Sequence, residues 1–396
     1  MLAVEELTRT PNALAQHDTR FQVGKRLLLS GHSHQAWPDV AREGLLESFD
    51  DAALHVDEKW DRAFDRAERV RRGVRELLGD PEGEIALAGS THDLVVRWIS
   101  ALPWRERRRI VTTDGEFHTL RRQLARLAEE GFELVREPAE PVETLAARLA
   151  ARSDRRTLAT LVSAVLFETA RIVPGLDGLA RHCGEAGIPL LVDAYHALGA
   201  LPFRLPELGL ESAVVVGGGY KYLQLGEGNA FLRLPPETEL RPAVTGWYAE
   251  FARLAAPAVP GAVPYGRGAD ALAGATYDPT SHYRAARVLD FFESQGLHPE
   301  RLRARSLEQI AGLARGFDAL GLPEDLLRRD RDHPLDAFGG FLALEGRRAG
   351  EIATALRASG VLCDARGTRL RLGPAPYVTD EQIERAVARL GEIARF

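Results

Sequence analysis

Two short apolar runs in this chain end in groups capable of covalent chemistry. Residues 188–192 deliver Asp193, and residues 213–216 run through three glycines into Tyr220-Lys221-Tyr222. Lys221 is one of only three lysines, with Lys25 and Lys59, among many arginines. A lysine just past a glycine-rich strand end can attack a carbonyl and form a Schiff base, and a nearby carboxylate can keep a ring nitrogen protonated. The plain alternative is a surface lysine in a turn and an aspartate capping a helix. Their joint placement at two strand ends favours the chemical reading.

Pyridoxal phosphate (PLP) chemistry asks for such a pair: a lysine that binds the cofactor and then moves a proton, and an acid facing the pyridine nitrogen. His196 could orient Asp193 or lie against the cofactor, and Tyr220 could point its hydroxyl at a phosphate. Each could equally be a packing side chain. Gly89-Ser90-Thr91 stands between a strand and a helix, where backbone N–H groups and hydroxyls seat a phosphate, although Ser and Thr are also preferred caps. Phe117 follows another strand and could cover a ring face or fill the core. Arg371 interrupts the alternation Arg369-Leu370-Arg371-Leu372. A planar fork there would suit a carboxylate, and a solvated strand face explains it as well. Cys363, beside an apolar pair, reads as a small buried side chain.

The elements that must position these groups alternate in type. Strand candidates at 85–88, 110–112, 133–136, 158–166, 188–192 and 213–216 are separated by helical stretches at 93–99, 119–130, 141–151 and 175–186. That rhythm predicts an α/β fold with a mainly parallel sheet and its reactive groups along one edge. Helical periodicity also covers 40–54, 60–78, 282–295, 302–320, 351–358 and 380–390, with further strands at 26–29, 338–344, 361–362 and 369–372. Residues 234–279, rich in proline, glycine and alanine, read as a domain boundary.

Composition removes several classes of function. The 396 residues include 51 basic and 57 acidic side chains, a net charge of -6, which gives no reason to expect nucleic acid or an anionic membrane as partner. Two cysteines are too few for a disulfide scaffold, and the histidines lack ligand spacing, so no metal site is expected. No apolar stretch suits a signal peptide or a membrane span, which points to a cytoplasmic protein.

Asp193-x-x-His196 followed by Tyr220-Lys221-Tyr222 resembles the fold-type-I PLP enzymes of the class V aminotransferase group, and within it kynureninase, from about residue 27 to residue 390. The resemblance implies a seven-stranded, mostly parallel sheet in a large domain at 51–279. A smaller α+β domain would cover 280–396, with the N-terminal segment 1–50 packed onto it. It assigns Lys221 the internal aldimine, Asp193 the ring nitrogen, and Tyr220, Ser90 and Thr91 the phosphate, with His196 beside the cofactor. Phe117, in Glu116-Phe117, would stack on the ring. Trp247, in Gly246-Trp247, would reach the phosphate from the partner subunit of a homodimer, and Arg371 would grip the carboxylate of an amino-acid substrate.

The departures fall on the substrate side. His118-Thr119-Leu120 replaces the usual Pro-Ser/Thr-Asp, and Ala275-Thr276-Tyr277-Asp278-Pro279 replaces a Ser-Asn-Pro-Pro-like stretch. Gln224-Leu225-Gly226-Glu227-Gly228 replaces Asn-x-Gly-Pro-Gly. With His118 and Thr276 as altered substrate contacts, the implied activity is kynureninase-like hydrolytic cleavage of a carbon–carbon bond in the substrate, through an external aldimine and a quinonoid. Kynurenine itself is expected to be a poor substrate, because lost polar contacts discriminate strongly. Transamination is the main alternative. Cysteine desulfuration and a non-catalytic PLP-fold binder are weaker ones.

Overall fold

The computed structural model describes residues 4–8, 12–254 and 261–395. Residues 255–260, within the stretch read as a boundary, lie outside that description. The first strands are β1 (Leu27–Leu28), β2 (Glu84–Ala88), β3 (Arg109–Thr113) and β4 (Glu133–Glu137). They are followed by β5 (Thr157–Ser163), β6 (Leu190–Asp193), β7 (Val214–Gly218) and β8 (Ala230–Leu234). Strands β2 to β8 make one sheet in the order β2-β8-β7-β6-β5-β3-β4. Strand β8 is antiparallel to both β2 and β7, and the remaining pairings are parallel.

Helices α1 (Val4–Thr8), α2 (Val40–His55), α3 (Lys59–Leu78) and α4 (Thr91–Ala101) belong to the first part of the sequence. Helices α5 (His118–Glu129), α6 (Leu145–Arg152) and α7 (Leu176–Glu185) connect the parallel strands. Cover on both faces explains why the strands read as continuous apolar runs. Every residue of β5 is buried. Val162, Val192 and Val215 pack on one face with Leu149 and Leu179, while their neighbours Leu161, Leu191 and Val214 pack on the other with Leu94 and Trp98.

Strand β8 has no counterpart in the sequence reading, because Arg233 breaks its apolar run. The fold absorbs that charge. Arg233 is buried, pairs with Asp80, and donates from Nη1 to the Glu211 and Ala213 carbonyls at 2.8 Å each. The expected strand over 158–166 stops at Ser163, beyond which Val165 bridges back to Ile172.

Beyond the sheet come α8 (Thr280–Gln295), α9 (Pro299–Ala319), β9 (Arg328–Arg329), β10 (Leu342–Glu345) and α10 (Ala349–Ala358). Then follow β11 (Val361–Leu362), β12 (Asp364–Arg366), β13 (Arg369–Leu372) and α11 (Asp380–Ala394). A second sheet runs β12-β13-β10-β9, all antiparallel. Strand β1 pairs in parallel with β11, Leu27 opposite Val361, so the N-terminal segment is built into the C-terminal part of the fold. The expected strand at 338–344 shortens to Leu342–Glu345. Among the described residues no helix is long and apolar enough to cross a membrane.

Helices α2 and α8 meet backbone to backbone at Gly44. A Cβ there would lie 2.7 Å from the Tyr283 carbonyl oxygen and 2.8 Å from Arg284 Cα. Gly44→Val is therefore expected to destabilise the protein by ~2 kcal/mol through overpacking. Gly178→Ala, in α7 where a Cβ meets nothing within 4 Å, should instead stabilise by ~0.5–1 kcal/mol. Denaturant midpoints of the two variants against the parent check both signs, and a neutral Gly44→Val would contradict the close crossing.

Candidate active site

The C-terminal ends of five parallel strands, β2, β3, β5, β6 and β7, open onto one cavity of about 210 Å³. Ser90 and Thr91 enter it from the start of α4, Phe117 from beyond β3, and Ser163 from the end of β5. Asp193, Tyr195 and His196 enter from β6 and its exit, Tyr220 and Lys221 from beyond β7. Residues far apart in sequence meet because the strands carrying them are parallel members of one sheet.

The glycine corner after β7 is a matter of room. A Cβ on Gly218 would come within 2.7 Å of Tyr195 Cε2, and one on Gly219 within 2.6 Å of Leu225 Cβ. The bare backbone brings Lys221 in close to its neighbours. Its Nζ lies 2.7 Å from His196 Nε2, 4.6 Å from the centre of the Tyr195 ring and 5.5 Å from that of Phe117. Burial brings the Lys221 pKa down to about 7, partly offset by Asp193 and reinforced by Arg371. An amine that loses its proton near neutrality is a nucleophile and a base at ordinary pH.

His196 is driven well below its usual pKa, first by burial and then by Lys221, so the ring is neutral and its Nε2 is paired with the Lys221 amine. Its Nδ1 is buried without a partner. Asp193 Oδ1 accepts the Tyr195 N–H at 2.8 Å. Burial raises the Asp193 pKa, while that hydrogen bond and Lys221 pull it down. A desolvated carboxylate on a cavity wall is stabilised by a cationic partner, and a protonated ring nitrogen is one.

Ser90 is the N-cap of α4. Its hydroxyl accepts the Asp93 N–H at 3.3 Å and donates to Asp93 Oδ2 at 2.9 Å. Capping thus occupies the hydroxyl, and the helix end with the bare Gly89 beside it remains turned to the cavity. A Cβ on Gly89 would find only Asp93 Oδ2, at 3.9 Å. Among the described residues no group of three acidic, histidine or cysteine side chains is arranged to hold a metal ion.

Tyr195, Glu116 and Ser163 escaped the sequence reading as contributors. Tyr195, between Asp193 and His196, lies beneath the Lys221 amine and against Tyr220, ring centres 4.9 Å apart. Glu116 is buried and accepts from the Ser163 N–H at 2.9 Å and hydroxyl at 2.7 Å. Burial pushes its pKa up to about 8, with Asp193 adding to the rise and the Ser163 bonds opposing it. The position of Tyr195 inside the Asp193–His196 stretch was a usable signal, whereas nothing local marks Ser163 except the end of a strand.

The residues expected on the substrate side do not gather here. Arg371, read as an open carboxylate fork, is closed on Asp364, and its guanidinium is buried away from the cavity lining. His118 starts α5 exposed, with Nδ1 2.9 Å from Arg121 Nη2. Thr276 lines a neighbouring cavity of about 830 Å³ that shares Gly89, Glu227 and Gly228 with the first. Its hydroxyl accepts from Trp247 Nε1 at 3.3 Å, on an exposed aromatic face.

No protein-family model matches the sequence. The uncharacterized aminotransferase YcbU of Bacillus subtilis is 23% identical over 365 residues, 86% of this chain and 88% of its own. A 2-aminoethylphosphonate–pyruvate transaminase of Burkholderia thailandensis is 28% identical over 282 residues, 68% of this chain and 72% of its own. Kynureninase of Geobacillus thermodenitrificans is 25% identical over 364 residues, covering 83% and 78%. Among solved structures, a C-DES mutant with glycine covalently linked to its PLP cofactor superposes with a TM-score of 0.78. It is 17% identical and covers 96% of this chain and 99% of its own. The apo cysteine desulfurase of Thermococcus onnurineus also gives a TM-score of 0.78 at 17% identity, covering 97% and 98%. In sequence and fold together, the protein is a distant relative of the class V aminotransferase-like PLP enzymes, with the type I fold.

Proposed function

We propose that the protein binds PLP through Lys221 and transfers the amino group of a small substrate. PLP supplies an electron sink for the carbon that bears the substrate amine. The observation that carries the proposal is the desolvated Lys221 amine, with a pKa near 7, beside neutral His196 and across from Asp193. In this reading Asp193 holds the ring nitrogen protonated, Phe117 covers the ring, and the start of α4 with Ser90, Thr91 and Tyr220 receives the phosphate. Lys221 removes the proton from the amine-bearing carbon and returns it elsewhere.

Transamination needs only that one base acting at two positions. Kynureninase-like carbon–carbon cleavage, the second reading, needs in addition a polar group at the carbonyl beside the bond that breaks. His118 and Thr276 were the candidates, and neither lines the cavity around Lys221. The kynureninase relatives and the phenylalanine at 117 support that second reading. The same proposal includes a homodimer, supported by the exposed Trp247, Phe251 and Leu254 beside the larger cavity. It also includes the division at 1–50, 51–279 and 280–396, supported by the pairing of β1 with β11.

Borohydride reduction of the PLP-loaded protein followed by peptide mapping should place the pyridoxyl group on Lys221, and Lys221→Ala should lose it. A label on Lys25 or Lys59 would refute the assignment. The rate at which apo-protein captures PLP should rise about tenfold per pH unit up to about pH 7 and then level off, because only the unprotonated amine attacks. A midpoint near the ordinary lysine value, about 10, would mean that the amine is not desolvated. Amine substrates should convert the cofactor to its amine form, and a 2-oxo acid should restore it. Release of alanine from kynurenine without any acceptor would instead favour the cleavage reading.

A further inference from the structure

Glu116, Ser163 and Asp193 form a row across three neighbouring strands. Glu116 lies just beyond β3, Ser163 ends β5, and Asp193 ends β6. Strand β5 stands between β3 and β6 in the sheet. Ser163 is paired in register with Asp193, and the next N–H, that of Ala164, donates to the Asp193 carbonyl at 2.8 Å. Paired residues of adjacent strands lie about 5 Å apart with their side chains on one face. Glu116 is 1% exposed, and its two oxygens take the Ser163 N–H at 2.9 Å and the Ser163 hydroxyl at 2.7 Å. Ser163 and Asp193 line the cavity, so Glu116 acts on it through them.

The proposed function gives Asp193 a ring cation to hold and leaves Glu116 unused. Among the described residues Glu116 makes no ion pair, and Asp193 is the charged group whose field reaches it. A buried carboxyl so placed has two forms, and they treat the cavity differently. Ionised, it accepts both Ser163 donors and sets a second negative charge beside Asp193. Protonated, one of its oxygens donates to Ser163 Oγ, the Ser163 hydrogen turns away, and the charge is gone. Burial and Asp193 push the Glu116 pKa up to about 8 while the Ser163 bonds pull it back, so both forms are within reach near neutral pH. A cation arriving at Asp193 favours the ionised one.

We infer that Glu116 is a positioning residue for the cofactor's ring nitrogen. Clamped by Ser163, it supplies a second negative charge beside Asp193 when Asp193 holds the ring cation, and it gives its proton to solvent as that cation binds. This rests on the PLP-dependent reading above.

The probe is pyridoxine 5′-phosphate, which has the pyridine ring but no aldehyde and so forms no covalent bond with Lys221. Its affinity for the cofactor-free protein is measured by equilibrium dialysis from about pH 6 to about pH 10, in the parent and in Glu116→Gln, which keeps the shape and stays neutral. The ratio of the two affinities cancels the ionisation of the ligand and of Lys221, which both proteins share. Linkage sets the sign: a ring cation lowers the Glu116 pKa, so the gain is absent at low pH and complete above the value in the free protein. The parent should match Glu116→Gln near pH 6 and bind about tenfold more tightly above about pH 8. With the analogue that has carbon in place of the ring nitrogen, the gain should vanish. Ser163→Ala loses a bond that favours ionised Glu116, so its gain should move to higher pH. Should Glu116→Gln fail to fold, as judged by circular dichroism, Ser163→Ala decides the matter, by weaker binding than the parent near pH 8 that is confined to the pyridine ring. A ratio that does not change with pH would overturn the inference, as would an equal rise with the carbon analogue. A protein that takes up no PLP on Lys221 is a distinct result, which removes the cofactor reading and this inference with it.

Discussion

Taking one lysine amine out of water is the constraint that organises this molecule. An ammonium in a dry site is unstable unless paired, and the protein answers with a neutral imidazole at 2.7 Å and aromatic rings in place of a close carboxylate. A direct ion pair would have held the proton. A neutral imidazole lets it go near pH 7, the condition a nucleophile and proton carrier needs. The glycines after β7 serve the same end. Only a backbone without side chains can run that close to Tyr195 and Leu225 and still deliver Lys221.

The surrounding charges are arranged by depth. Asp193 and Glu116 are desolvated acids, each with its pKa raised first by burial, and Glu116 takes both donors of Ser163. Two acids close together in low dielectric cannot both stay ionised cheaply, so a cation at the Asp193 side relieves both. A protonated pyridine ring would be that cation in the proposed function. The buried Arg371 cannot serve, because Asp364 already neutralises it. The charge gathered in this part of the protein therefore reduces to one unmet demand, at Asp193.

The sheet was legible in the sequence because its central strands are buried on both faces, and from β2 to β6 single helices, α4 to α7, separate successive strands. The residues expected around a cofactor follow from the same rhythm, since Asp193 ends β6, Ser90 caps α4, and Phe117 and Lys221 lie shortly beyond β3 and β7. What stayed hidden depends on contacts distant in sequence. Arg233 looks like a strand breaker until Asp80, 153 residues earlier, is seen beneath it. Arg371 looks like an open fork until Asp364, itself held by His32 from the far end of the sequence, closes on it. A charged residue in an apolar pattern states a need for a partner, and the pattern alone does not say whether that partner is solvent, substrate or protein.

The likeness to solved cysteine desulfurases illustrates the converse limit, in which a shared fold carries less than a shared site. Desulfuration through a thiol of this protein would need a mobile, ionisable cysteine near Lys221. The sequence has two cysteines, and both are buried. Cys363 follows β11 with no exposed surface, and burial pushes its thiol up to about 12, while burial also raises Cys183 within α7. A thiol so protonated is a poor nucleophile at neutral pH, whatever the scaffold around it. In the proposed function, the same scaffold with Lys221, His196 and Asp193 at or beyond its strand ends would still move protons on a carbon next to an amine. The chemistry is therefore to be sought in the side chains where the strands end, and not in the superposition of backbones.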